Sequence, residues 1–306
     1  MDVHRFQMST EWEGTRVDKF LSSNLEFLSR SYIQKMIGEQ RVTVKGRMVK
    51  ANYVLSAGDE IEFCIPPSVE PQILPQDIPL DILYEDEDVI VVNKPKGMVV
   101  HPSSGHYSDT LVNALLFHCR SSLSGINGVM RPGIVHRIDK DTTGSIIACK
   151  NDFAHESIAK QLKEHTILRR YRAICMGRLK EDEYTINAPI GRHPTERKKM
   201  AINRQNGKPA ITHIKVLERL NNATYIECCL ETGRTHQIRV HLSSLGHPLL
   251  GDEIYGDSRN KYGLQGQTLH AYILGFSHPR DSHFIETKAE FPVYFENLLR
   301  KLQHSS

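Results

Sequence analysis

The chain has 306 residues, about two domains' worth at roughly 150 residues each, with 39% hydrophobic and 25% charged residues and a formal net charge of +3. A core can form without disulfides or metals, and these proportions exclude wholesale disorder and a small stapled fold. The longest apolar stretches, such as Val89-Ile90-Val91-Val92, fall far short of the ~18 residues of a membrane span, and the first twenty residues lack an apolar signal core. A cytoplasmic chain with no membrane contact is therefore expected. The cysteines, at 64, 119, 149, 175, 228 and 229, show no C-x-x-C spacing, and the apolar surroundings of Cys149, Cys175 and Cys228 read as buried free thiols.

Within residues 1–65, Thr15 is placed to cap a helix, with Asp18 three residues on and Val17, Phe20 and Leu21 at i, i+3, i+4 apolar spacing. A second helix is predicted from Ser29, burying Ile33, Met36 and Ile37. Val42-Thr43-Val44-Lys45-Gly46 reads as a short strand entering a turn, and Gly58-Asp59 opens another strand through Ile61 and Phe63. Two helices and a small sheet result. Between Arg30 and Lys50 the basic residues Arg30, Lys35, Arg41, Lys45, Arg47 and Lys50 face only Glu39; taken alone, such a run is a solvated face. The run Arg16-Val17-Asp18-Lys19-Phe20-Leu21, then Ser29-Arg30-Ser31 and Gly58-Asp59, resembles the S4 RNA-binding domain over roughly 15–63. The resemblance implies that Arg16, Lys19, Arg30, Lys35, Arg41, Lys45 and Arg47 meet RNA, where they would neutralise phosphates with salt-dependent, largely sequence-independent affinity.

Pro66, Pro67, Pro71, Pro75 and Pro79 crowd the next stretch, and residues 70–88 carry acidic side chains with no basic one, which reads as an extended linker over 66–80. From 81 to 306 strand and helix signals mix without a comparable break or a repeat, as expected of one large domain. It opens with a strand over 88–93 leading into Lys94-Pro95-Lys96-Gly97. Further on, acid, base and hydroxyl groups crowd into His136-Arg137-Ile138-Asp139-Lys140-Asp141-Thr142-Thr143-Gly144, just before the apolar strand Ser145 to Cys149, a place where loops commonly carry function. A lone Asp in a turn is otherwise an N-cap or Asx-turn former.

A helix over 153–164, with Ala154, Ile158 and Leu162 on one face, leads to a strand in which Tyr171, Ala173 and Cys175 share a face, so Tyr171 can point into a cleft. The strand Tyr225 to Leu230 then runs into Thr232-Gly233-Arg234-Thr235-His236-Gln237-Ile238-Arg239. Here Thr235 is the predicted N-cap, Ile238, Leu242 and Leu245 the buried stripe, and Gly246 the stop. Arg239 sits off that stripe, one turn from His236, near a helix N-terminus that favours an anion.

The strings YEDEDVIVVNKPKGMVVHP (84–102), HRIDKDTTG (136–144), RRYRAIC (169–175), TGRTHQIRVHLSSLGHPLLGDEIYG (232–256) and LHAYILGFSHP (269–279) resemble the RluA family of pseudouridine synthases. With the S4-like segment, the chain is most similar to the RluC/RluD branch, which modifies large-subunit ribosomal RNA. His136 ahead of Arg137 separates it from the small-subunit RsuA branch, which has Gly there. Ile138 stands where Leu is usual, a volume-conserving swap. The expected fold is α+β: a small S4-type domain followed by a large mixed-sheet catalytic domain with an RNA cleft.

The implied reaction breaks the N1–C1′ glycosidic bond of a uridine, turns the uracil and bonds C5 to C1′, with no net redox change. No cofactor or metal is demanded, and the sequence contains no P-loop, dinucleotide fingerprint or His-Glu-x-x-His motif. By resemblance Asp139 is the catalytic aspartate, which either attacks C1′ or removes a ribose proton, chemistry in which carboxylates also serve glycosidases. Arg239 matches the arginine that pairs with it, and Tyr171 the active-site tyrosine, whose ring can stack on the flipped base. Arg137 matches the arginine that fills the gap left by the extruded nucleotide. Arg234 and His236 are further expected RNA contacts, and the expected partner is ribosomal RNA of the large subunit or its precursor, met by a monomer. A noncatalytic RNA-associated protein would keep the S4-like segment and the basic stretch Arg192 to Arg204, but would not need Asp139, Tyr171 and Arg239 together. A kinase reading of His-Arg-x-Asp fails for want of a Gly-rich loop and Asp-Phe-Gly. A metal site on His236 and His241 is weak, because a spacing of five does not share one helical face.

Overall fold

The computed structural model describes residues 2–66, 72–102, 106–120, 122–196, 198–256 and 262–304. The chain forms two compact units, Met1–Glu70 and Pro71–Ser306. Residues 67–71 of the expected linker and Arg197 of the basic stretch lie outside the described residues.

The first unit contains β1 (Asp2–Gln7), α1 (Val17–Asn24), α2 (Arg30–Gly38), β2 (Val42–Val44), β3 (Arg47–Met48) and β4 (Glu60–Ile65). Its antiparallel sheet runs β1-β4-β2-β3, and Val17, Phe20, Leu21, Ile33, Met36 and Ile37 bury their stripe against Val42, Ile61 and Phe63. Ser29 caps α2 as predicted, its side chain accepting from the Tyr32 N–H at 3.2 Å. The cap of α1 differs from expectation: Arg16, not Thr15, is the N-cap residue, without a side-chain bond. Thr15 is held by its backbone instead, its carbonyl accepting from the Leu55 N–H at 2.9 Å. Asp18, fully buried, turns from the helix end to bind Arg16, Arg30 and Gln34. Burial would raise its pKa, but the hydrogen bonds from Gln34, Arg30 and Arg16 outweigh this and lower it.

The second unit is built on a nine-stranded sheet. In chain order its elements are β5 (Ile82–Glu85), β6 (Val89–Lys94), α3 (Leu111–Cys119), β7 (Thr143–Cys149), α4 (Asp152–Lys163), β8 (Leu168–Met176), β9 (Glu183–Asn187), β10 (Ile190–Arg192), β11 (Met200–Ile202), β12 (Ile211–Leu220), β13 (Ala223–Leu230), α5 (Gln237–Ser244), β14 (Leu269–Ser277), β15 (Phe284–Lys288) and α6 (Val293–Gln303). The order is β5-β6-β7-β14-β8-β13-β12-β9, with β15 on β14 and β10-β11 a separate hairpin. Among the described residues only β7 and β14 pair in parallel, which makes the sheet mixed. Gly144 permits that pairing: at φ +105° it lies so close to β14 that a Cβ would come within 2.2 Å of the Ala271 carbonyl oxygen. Residues 72–80, read from sequence as linker, lie against this unit, with Ile73 in its core and the Leu74 carbonyl accepting from Asn113 at 2.8 Å. Cys119, Cys149, Cys175 and Cys228 are buried free thiols.

Candidate active site

Three separate segments meet at a cleft of about 530 Å³ on the second unit, lined by Arg137, Asp139, Tyr171, Arg234, His236 and Arg239. Strand β8 delivers Tyr171, which is 8% exposed and paired on both sides, with Ala271 of β14 and Cys228 of β13. Ile138, Leu230 and Leu269 add apolar lining beside it. Burial raises the Tyr171 pKa, opposed by the Arg169 charge and reinforced by Asp139, which suits a stacking ring better than a proton acceptor.

Asp139 sits in the turn that leads into β7, where its carbonyl accepts from the Thr142 N–H at 3.1 Å. Its Oδ2 accepts from Arg239 Nη1 at 2.8 Å, while Oδ1 faces His236 Nε2 at 3.9 Å, beyond hydrogen-bond reach. Arg239 projects from α5, whose N-cap is His236 in the left-handed region at φ +56°, not Thr235. No side chain caps α5; Gln237 instead fixes the loop that enters it, its Oε1 accepting from the Arg234 N–H at 2.9 Å and from Thr232 at 2.8 Å. Its Nε2 donates to the Ile211 carbonyl at 2.9 Å, which ties the loop to β12. Gly246 ends the helix as predicted, in a Schellman closure with His247 N–H to Leu242 O at 3.0 Å and Gly246 N–H to Ser243 O at 3.0 Å. Leu245, expected in the buried stripe, is exposed, and Arg239, placed off it, is buried.

A buried guanidinium needs counter-charge, and sequence reasoning missed where most of it comes from. Asp252 is 1% exposed and accepts from Arg239 Nε at 2.7 Å and Nη2 at 2.8 Å; Arg239 is thus forked onto Asp252 and reaches Asp139 with its remaining nitrogen. Burial works against the Arg239 charge, but the Asp252 hydrogen bonds and the Asp139 charge outweigh it and raise its pKa. Tyr255 completes the setting. Its ring lies 5.2 Å from the guanidinium, and its hydroxyl contacts His236 Nδ1 at 2.9 Å while accepting from the Met200 N–H at 2.7 Å. Beneath the Asp139 turn, fully buried Lys94 donates to the carbonyls of Pro95, Met98 and Lys140 at 2.8, 2.8 and 2.9 Å. Burial pushes its pKa down to about 7, against the pull of Asp141 and Asp139.

Residues 88–244 match the RNA pseudouridylate synthase family, and residues 15–61 match the S4 domain. The uncharacterized RNA pseudouridine synthase YlyB of Bacillus subtilis (strain 168) is 49% identical over 295 residues, covering 96% of each chain. The chain belongs to the RNA pseudouridylate synthase family. The ribosomal large subunit pseudouridine synthase D of Zymomonas mobilis is 44% identical over 316 residues, covering 100% of this chain and 99% of that one. Among solved structures, human RNA pseudouridylate synthase domain containing 1 superposes with a TM-score of 0.57 at 30% identity, covering 73% of this chain and 87% of that one. This protein is accordingly an RNA pseudouridine synthase, an isomerase with an S4 domain, and the noncatalytic reading is not favoured. No helix among the described residues is long and apolar enough to cross a membrane.

The structure of this pseudouridine synthase brings the expected cleft residues together and distributes the others over the S4 unit. Arg137 is exposed at the cleft with no hydrogen bond or ion pair among the described residues. Arg234 donates through Nε to the Pro209 carbonyl at 2.9 Å, and His241 is bonded locally, to Thr212 at 2.9 Å and the Ala188 carbonyl at 3.0 Å. In the S4 unit Lys19, Arg41 and Arg47 are exposed without side-chain partners among the described residues. Lys45 pairs with Asp59 at 2.8 Å and Lys35 with Glu39 at 3.7 Å, while Arg16 and Arg30, 41% and 44% exposed, clamp Asp18 and keep an open edge toward solvent.

Proposed function

We propose that this pseudouridine synthase isomerises uridines of large-subunit (23S) ribosomal RNA, with Asp139 as the group that acts on the ribose. Full-length similarity to synthases named for the large ribosomal subunit supports the substrate. The observation that carries the chemistry is the Asp139–Arg239 ion pair at the cleft: Oδ2 is held by Nη1, and Oδ1 has no hydrogen bond among the described residues. That oxygen either attacks C1′ or takes a ribose proton, and in both routes N1 leaves with the bonding electrons. The uracil turns and C5 bonds to C1′, which breaks the Asp139–C1′ ester in the first route and returns the ribose proton in the second; the C5 proton is released to water and N1 takes one up. Arg239 orients the carboxylate, Tyr171 stacks on the flipped base, and Arg137 occupies the space the uridine vacates. Arg234 and His236 hold the strand at the cleft. Arg16, Lys19, Arg30, Lys35, Arg41, Lys45 and Arg47 bind phosphates elsewhere on the RNA. The enzyme works as a monomer in the cytoplasm, without a cofactor.

The test is tritium release from large-subunit RNA labelled at uracil C5, with pseudouridine mapping to locate the sites. Asp139→Asn abolishes release while RNA affinity stays within a few fold, because many phosphate contacts supply the affinity. A tenth of wild-type turnover retained in Asp139→Asn would falsify its role.

A further inference from the structure

Arg169 and Tyr171 lie two residues apart in β8, so their side chains project from the same face of the sheet, ~7 Å apart along the strand, and both line the cleft. Arg169 is 6% exposed. Its Nη2 donates to the Glu231 carbonyl at 2.8 Å, and its Nη1 lies against Gly233, where a Cβ would come within 2.7 Å of it. Among the described residues its buried Nε has no partner and no carboxylate pairs with the guanidinium. Burial pushes its pKa down; Tyr171 and Cys229 oppose this, and the Arg234 charge adds to it.

His136 adds a second donor on the same wall. Its Nε2 accepts from the Ile147 N–H at 3.1 Å, which assigns the ring proton to Nδ1, and Nδ1 has no partner among the described residues. Burial and the Arg169 charge push the His136 pKa down to about 3, so the ring stays neutral and keeps that proton.

Apart from the Glu231 carbonyl, which Arg169 Nη2 already engages, this corner of the cleft therefore presents donors with no carboxylate bonded to them among the described residues. A desolvated cation without counter-charge is costly, and the ligand that relieves it is an anion. A uracil carbonyl offers an acceptor without charge, whereas an RNA phosphodiester offers both. We propose that Arg169, assisted by His136 Nδ1–H, forms a subsite for a single backbone phosphate next to the target nucleotide, fixing the sugar over Asp139. This rests on the reading that a uridine enters the cleft against Tyr171.

Arg169 also braces the loop at Glu231, so the test must separate the brace from the phosphate contact. The probe is a fluorescein-labelled large-subunit rRNA stem-loop chosen because the wild-type protein binds it, its phosphates replaced singly by neutral methylphosphonates. Anisotropy reads affinity without turnover. Wild type loses roughly tenfold at one phosphate beside a uridine. Arg169→Gln, already weaker by a similar factor on unmodified RNA, loses nothing more at that phosphate and keeps wild-type losses elsewhere. The proposal fails if Arg169→Gln responds like wild type at every phosphate, or if its sensitivity changes at all of them alike, the mark of a displaced loop. Should Arg169→Gln not fold, His136→Ala serves in its place: a sensitivity blunted by about threefold at that same phosphate supports the subsite, and an unchanged scan overturns it. Tritium release is recorded separately on the same RNA. Its absence in the wild type overturns the assigned reaction and leaves the binding comparison intact.

Discussion

Replacing Asp252 by Asn removes one of the two carboxylates that share the Arg239 guanidinium, which is 4% exposed. Asparagine can still present an oxygen to the Ile254 and Tyr255 N–H groups, now 3.0 and 3.1 Å from Asp252 Oδ1, so the turn persists. It cannot accept from both Arg239 Nε and Nη2, and it carries no charge. Breaking a buried ion pair from one side costs about 3–5 kcal/mol, and because Asp139 remains as counter-charge the lower end applies, about 3 kcal/mol. At about 2–4 °C per kcal/mol for a unit of this size, the melting temperature falls by roughly 6–12 °C. The freed fork also turns onto Asp139 and takes up Oδ1, which has no hydrogen bond among the described residues. In tritium-release kinetics kcat then drops by more than about tenfold while KM stays within a few fold, since the lost interaction belongs to the reacting carboxylate and not to RNA affinity. A variant melting within about 2 °C of wild type, with kcat within about twofold, would refute the claim that Asp252 organises the site.

Two further perturbations address the support under Asp139 and the entry of the uridine. Lys94 has its pKa lowered from 10.5 to about 7, so between those values the unfolded chain binds a proton that the folded chain does not. Wild-type stability should accordingly rise with pH across that window relative to Lys94→Met, by up to ~1.4 kcal/mol per unit, and run parallel to it below about pH 7. Urea denaturation at several pH values checks this, and parallel curves from pH 7 to 10 would count against a titrating Lys94. Arg137→Ala should be severely impaired on structured RNA and largely rescued when the target uridine lies in an unpaired strand or opposite an abasic site, because unstacking costs a few kcal/mol. Equal impairment on both substrates would point to a phosphate contact instead.

The local signals in the chain located α2, α4 and the strands β6, β7 and β13, because apolar spacing and side-chain caps act within a few residues. They did not reveal β1, whose alternating, half-exposed residues become a strand only by pairing with β4. Nor did they give the N-termini of α1 and α5. In each a Thr looked like the cap, and the outcome was set by distant groups: Arg30 and Gln34 drew Asp18 away, and β12 held Gln237.

The resemblance of the motif strings to a known family named Asp139, Tyr171 and Arg239; local pattern by itself left Asp139 open to reading as a turn former. Asp252 was not singled out, because an Asp after Gly251 reads as a turn former, which it also is. Arg169 was not singled out either, since its burial depends on the packing of β8 in the sheet. What the sequence determined by itself was the elements with strong local signals and the chemical groups they carry, because those signals act over short range. The tertiary structure decided how the charge is shared: the Arg239–Asp139 bond, named by resemblance, spans 100 residues, and only the fold shows that Asp252 takes the other two guanidinium nitrogens. Burial then turned those neighbours into obligatory partners, since a charge removed from water has to find its counterpart within the fold.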